Sequence, residues 1–288
     1  NLLFSALSGQ ILKVFPIPGD KSKKWVSFLE VNQPTGTSLD SIKNVMPFYL
    51  NAVEKATQSN DYKLANSLLT GLTQYQNKYG ATVMLSESKI NSEIMYNKYD
   101  IFKRLYYMYM MAGVFMLIFC IVQIFNDSNL IRTIINVFHG LIGLFFVLHL
   151  AGLIVRWYIS GHAPWSDAYE SMIYVAWATM FFGLAFGKDS KLTVASTAFV
   201  TAIILMIAHW NWMDPSIGNL QPVLNSYWLM IHVAVIVGSY GPFALAMILG
   251  LVALFLMIFT NDRNKEKMKL SIDEITYINE MALTVGLV

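Results

Sequence analysis

The chain has 288 residues, 56% of them hydrophobic and 13% charged, with a formal net charge of +2. Soluble domains carry about 25% charged residues, so this composition points to a membrane protein, and the small net charge with no basic stripe argues against a nucleic-acid partner. Cys120 is the single cysteine and lies in an apolar run, which excludes an internal disulfide, a CxxC redox pair and a thiolate metal cluster.

Residues 1–103 carry most of the ordinary polar side chains and read as a water-facing, mainly helical domain. Pro16, Pro18, Pro34 and Gly36 punctuate its first forty residues. Asp61 opens a stretch with helical spacing (Tyr62, Ala65, Leu68, Leu69, Leu72, Tyr75) that stops at Gly80, and Ser86 suits the N-cap of a helix through Ile90, Ile94 and Tyr99. No histidine precedes His139, so this third of the chain shows little chemistry.

Residues 104–288 read as an all-α, polytopic transmembrane helix bundle. Five spans are expected by length and apolarity, at residues 105–125, 133–156, 168–187, 191–209 and 226–260. A sixth starts near 274 and is incomplete, and the chain reads as part of a longer protein. The fifth span would be about 52 Å long against a hydrocarbon core of about 30 Å, so a kink is expected at Gly241-Pro242. If the five spans alternate, Arg132, Lys188, Lys191, Arg263, Lys265, Lys267 and Lys269 gather on one side, read as cytoplasmic. Lys98, Lys103, Arg104 and Arg156 then lie near the other face, and the N-terminal domain is extracytoplasmic. The loops 157–167 and 210–225 are two crossings apart and share a face whichever way the chain is inserted. His162, Trp165, His209, Trp210, Trp212 and His232 collect there.

Imidazole suits iron, and a neutral histidine near a membrane surface can hold haem iron axially. His232 lies about 8 Å inside the fifth span and follows Tyr227 and Trp228, which makes it the best candidate. Its other reading is a helix-end histidine bonded to a backbone carbonyl. Trp157, Trp165, Trp177, Trp210, Trp212 and Trp228 are six of the seven tryptophans. An interfacial aromatic belt accounts for part of this set, and a planar macrocycle stacked on Trp210 and Trp212 is the alternative. Arg156 suits a bidentate carboxylate such as a porphyrin propionate, or serves as a snorkelling anchor. His139 and His149 are about 15 Å apart along one helix and cannot share a small ion. Asp167 and Glu170, near the start of the third span, are read as architectural, the aspartate capping a helix. No nucleophile elbow, phosphate loop or metalloprotease signature occurs.

The segments Arg156-Trp157-Tyr158-Ile159-Ser160-Gly161-His162-Ala163-Pro164-Trp165-Ser166-Asp167-Ala168-Tyr169-Glu170-Ser171 and Pro222-Val223-Leu224-Asn225-Ser226-Tyr227-Trp228-Leu229-Met230-Ile231-His232-Val233, followed by Gly238-Ser239-Tyr240, resemble the CcsA/ResC-type cytochrome c assembly proteins, the membrane subunit of the system II cytochrome c synthase. The resemblance covers residues 145–260 best, and the first 100 residues only loosely resemble the extracytoplasmic domain of fused synthases. It implies cytochrome c biogenesis in a bacterial inner membrane. Haem b is brought to the outer face, its iron held between two external histidines, and its vinyl groups presented to the reduced CxxCH cysteines of apocytochrome c. A CcsB/ResB-type subunit or domain and a thiol-reducing partner are implied as well. His232 aligns with the first external ligand. The family's tryptophan-rich WWD segment and second external histidine lie downstream of residue 288, so Trp210 and Trp212 are not that motif and the segment alone is expected to be inactive as a haem lyase. The implied haem-contacting set is His232, Trp228, Trp165, His162, Arg156, Trp210 and Trp212. A multi-pass transporter is the alternative, predicting inverted repeats that are not evident; a further one is a scaffold in which every His and Trp is structural.

Overall fold

The computed structural model describes residues 12–20, 23–31, 43–210, 213–217, 226–262 and 264–288. The chain divides into two compact units, Asn1–Ser86 and Glu87–Val288.

The first unit holds a feature that the sequence reading did not anticipate. Strand β1 (Lys13–Pro16) pairs antiparallel with β2 (Trp25–Ser27), Phe15 opposite Val26, with an irregularity between Lys13 and Phe15. Strands of four and three residues are too short for a period-2 pattern to register. Ser27 and Glu30 form a capping box at the short helix α1 (Phe28–Val31): Ser27 N–H donates to Glu30 Oε2 at 2.8 Å and Glu30 N–H to Ser27 Oγ at 3.5 Å. The Ser27 N–H holds the Glu30 carboxyl below the usual carboxylate range. Helices α2 (Val45–Ser59) and α3 (Lys63–Gly80) follow, and Asp61 Oδ1 accepts the Lys63 N–H at 3.1 Å, near where the spacing predicts a helix start. Phe15, Val26 and Val31 form the core, with Leu72 and Tyr75 packed on it. Tyr75 Oη donates to the Pro16 carbonyl and Gln76 Nε2 to that of Val14, tying α3 to the hairpin.

The second unit is a helix bundle. Helix α4 (Glu87–Tyr99) meets α5 (Ile101–Phe125) at Asp100, whose φ of 41° is in the left-handed region that aspartate tolerates better than most residues. Then come α6 (Asn129–Ser160), α7 (Ala168–Phe186), α8 (Lys191–Ala208), α9 (Tyr227–Ile258) and α10 (Lys265–Leu287). Ser128 and Ser190 cap α6 and α8 by accepting the N–H of Ile131 and Thr193, and α6 ends on Gly161 at a φ of 75°.

Among the described residues four helical stretches are long and apolar enough to cross a membrane: Glu87–Phe125, Asn129–Ser160, Lys191–Ala208 and Tyr227–Ile258. The span expected at 168–187 is the helix α7, but Tyr169, Glu170, Ser171 and Tyr174 in its first two turns keep it outside that class. Helix α10 begins well before residue 274, because Lys265 to Glu280 forms helix despite its charge.

Helix α8 lies at the centre. Val194, Ala195, Ala198, Ala202 and Leu205 are fully buried, and two of its buried hydroxyls are satisfied within the helix, Ser196 donating to the Leu192 carbonyl and Thr197 to that of Thr193, while Thr201 reaches the Met180 sulfur of α7. Two glycines let the backbone of a neighbouring helix come close. A Cβ on Gly113 of α5 would lie 2.8 Å from the Phe199 nitrogen of α8, and one on Gly241 of α9 would lie 2.8 Å from the Ala178 carbonyl carbon and the Thr179 nitrogen of α7. Helix α9 runs unbroken through Pro242. Proline has no N–H, so the Gly238 carbonyl lacks its usual donor there.

Candidate functional site

The carboxyl end of α6, the turn 161–167, the amino end of α7 and the segment 213–217 converge, and Arg156 is their centre. Its side chain is completely buried. Nε donates to Glu170 Oε1 at 2.8 Å; Nη1 donates to the Pro215 carbonyl at 2.9 Å and to Tyr96 Oη at 3.3 Å; Nη2 donates to the Ser216 carbonyl at 3.3 Å and lies 3.7 Å from Asp167 Oδ2. The guanidinium also stands 5.0 Å from the Tyr169 ring centroid. Its donors are therefore occupied by protein groups, and its contacts with residues 215 and 216 join the turn after α6 to the segment after α8.

Glu170 is buried as deeply. Oε2 accepts the Ser166 N–H at 3.1 Å and lies 3.6 Å from His162 Nδ1, while the Glu170 N–H donates to Asp167 Oδ1 at 2.6 Å. The expected aspartate cap is thus present, and beside it stands a buried ion pair that the sequence reading missed. The i, i+3 spacing of Asp167 and Glu170 was its only visible trace, since Arg156 and the segment 213–217 are remote in sequence. In that segment the Ser216 N–H donates to Asp214 Oδ1 at 2.9 Å and keeps the Asp214 carboxyl below the usual range.

The other expected site residues fall into two groups. His162 is half-buried, its Nδ1 3.3 Å from the Ala163 carbonyl oxygen, and its Nε2 has no partner among the described residues. Trp165 begins an aromatic column. Its indole N–H donates to the Met230 carbonyl of α9 at 3.2 Å. Its ring lies 6.3 Å from Trp157 and 5.0 Å from Tyr174; Tyr174 is 6.2 Å from Trp177, which stacks 5.4 Å from Phe146 and 5.7 Å from Phe181. Only Trp165 of this column is in the expected haem-contacting set; Tyr174, Phe146 and Phe181 join it through helix packing.

His232 lies two residues beyond Met230. It is exposed and has no hydrogen bond or ion pair with any described residue. Trp228, one turn earlier on the same helix face, is 76% exposed. Trp210 is about half exposed, whereas Trp212 lies outside the described residues, as does Pro222–Asn225. His149 is fully buried, with Nε2 3.0 Å from the Ile173 carbonyl oxygen, so it fastens α6 to α7. His139 Nδ1 lies 3.4 Å from Lys191 Nζ, far along α6 from His149.

Residues 165–288 match the family described as cytochrome C assembly protein. Over all 288 residues the chain is 34% identical to Protein NrfI of Wolinella succinogenes, of which it spans 31%. It is 31% identical over 174 residues, 56% of its length, to cytochrome c biogenesis protein CcsA of Lobularia maritima, covering 50% of that protein. Over 109 residues, 36% of its length, it is 33% identical to CcsA of Prochlorococcus marinus, covering 34% of it. The chain thus spans half or less of the curated relatives it matches. These likenesses support a cytochrome c assembly protein of the CcsA type, with residues 165–288 as the part that matches the family itself.

Proposed function

We propose that this chain serves cytochrome c biogenesis by holding haem b at the outer end of its bundle, with the His232 imidazole as one axial ligand of the iron. The observation that carries this reading is His232 itself: an exposed ring without an internal partner, beside the point where Trp165 is tied to α9. A histidine in a span is costly unless it has a partner or a task. Trp228 and Trp165 offer ring faces for a porphyrin, and Trp210 and Trp212 border the same end in sequence. His162 and Arg156 serve by positioning. Through Glu170 they fix the turn that presents Trp165, and the enclosed Arg156 guanidinium fits that role better than pairing with a propionate.

Haem supplies vinyl groups, across which the two thiols of a CxxCH segment in apocytochrome c add to give thioether bonds. The residues here hold and orient, and that positioning is where the rate comes from. A CcsB/ResB-type subunit or domain and a thiol-reducing partner complete the machine, in a bacterial inner membrane with the N-terminal domain outside. The test is the visible spectrum of the purified full protein that contains this chain. Bound haem with a low-spin signal is expected, lost in His232→Ala and restored to His232→Gly by added imidazole. Colourless wild-type protein, or a spectrum unchanged in His232→Ala, overturns the proposal and returns the chain to the scaffold or transporter reading.

A further inference from the structure

At the other end of the bundle a half-open cavity of about 680 Å³ lies between α5 and α9. It runs from Val114 to Phe125 on α5 and from Ile248 to Phe259 on α9, with Phe199 of α8 as its floor and Met268 of α10 at its end. Every lining side chain is aliphatic, aromatic or methionine. Eleven residues of helix correspond to about 16 Å, roughly half the 30 Å hydrocarbon thickness, so the cavity has the depth of one leaflet.

Its mouth is defined by helix ends. Phe125 is the last residue of α5, Phe259 follows the last residue of α9, and Met268 lies in the first turns of α10. Lys265 is one helical turn before Met268 and Lys269 adjoins it; both are exposed and have no ion pair with any described residue. Between residues 262 and 269 four cationic residues face two acidic ones, Asp262 and Glu266. A hydrocarbon slot one leaflet deep that opens beside a cationic helix start matches one ligand class in both halves.

We infer that this cavity binds one acyl chain of an anionic phospholipid, with its phosphate held by Lys265 and Lys269. Basic sites beside membrane helices select such headgroups, each lysine near the surface contributing about 1 kcal/mol, so the pair gives a preference of roughly ten- to thirtyfold over a zwitterionic lipid. The inference rests on the membrane reading of the bundle and not on haem.

The experiment is native mass spectrometry of the full protein released from bilayers of phosphatidylglycerol and phosphatidylethanolamine in equal amounts. One phosphatidylglycerol is expected to survive activation that strips other lipids. Leu251→Trp, which fills the slot from its 46% exposed rim position, lowers that occupancy several-fold. The surface double variant Lys265→Gln/Lys269→Gln keeps a lipid but loses the preference. Equal retention of the two lipids by the wild type, no retained lipid, or unchanged selectivity in the lysine variant overturns the inference. The last result does not depend on whether Leu251→Trp folds.

Discussion

Arg156 shows what burying a guanidinium demands. Desolvating it is offset only because a carboxylate, two carbonyls and a tyrosine hydroxyl converge on its donors. Removing one member leaves the other charged and dry. Glu170→Ala and Arg156→Met should each therefore destabilise the protein by about 3–5 kcal/mol, while Arg156→Met/Glu170→Met recovers much of the loss. Arg156→Lys should behave like a deletion, since an ammonium cannot span acceptors on three elements. Thermal unfolding in detergent compares the set, and additivity of the two single variants would contradict the pairing. The sequence revealed only the local half of this node. Asp167 capping α7 follows from spacing within one turn, whereas a guanidinium meeting carbonyls 59 and 60 residues away has no periodic trace.

Among the elements, the long apolar helices were legible because fully hydrophobic stretches of membrane-spanning length have few alternatives. Those less well read were the short or mixed ones. The hairpin of β1 and β2 rests on a few buried side chains, and α10 starts in a charged stretch that propensity, not apolarity, makes helical. At Pro242, where a kink is expected, α9 continues as helix, with the adjacent Gly241 letting α7 approach its backbone. Gly241→Val should cost about 1–3 kcal/mol or more, because the new Cβ meets backbone rather than a side chain that can rotate away. Gly250→Ala on the same helix is the control: its Cβ meets only Asn279 Nδ2, at 3.8 Å, so it should be neutral or slightly stabilising. Equal effects of the two would refute close packing at Gly241.

For the whole bundle, the joined loops around Arg156 and the basic helix ends lie at opposite ends of α6, α8 and α9. In a Cys120→Ser background, Tyr158→Cys and Ser216→Cys should react with an impermeant thiol reagent from one side of sealed vesicles, and Asp189→Cys and Asn261→Cys from the other. Labelling of Ser216→Cys and Asp189→Cys from the same side would show that α8 does not cross. The packing of α9 differs along its length. Beyond Gly241, Leu245 and Leu249 are fully buried, whereas before it Trp228, Val235 and Tyr240 are more than half exposed. The first half of the helix is thus a cantilever clamped at Gly241, with the Trp165–Met230 hydrogen bond as its stay. His232 rides about 13 Å out on that arm, and a tilt of about 10° at the clamp would sweep its ring through roughly 2 Å with the buried end of α9 undisturbed.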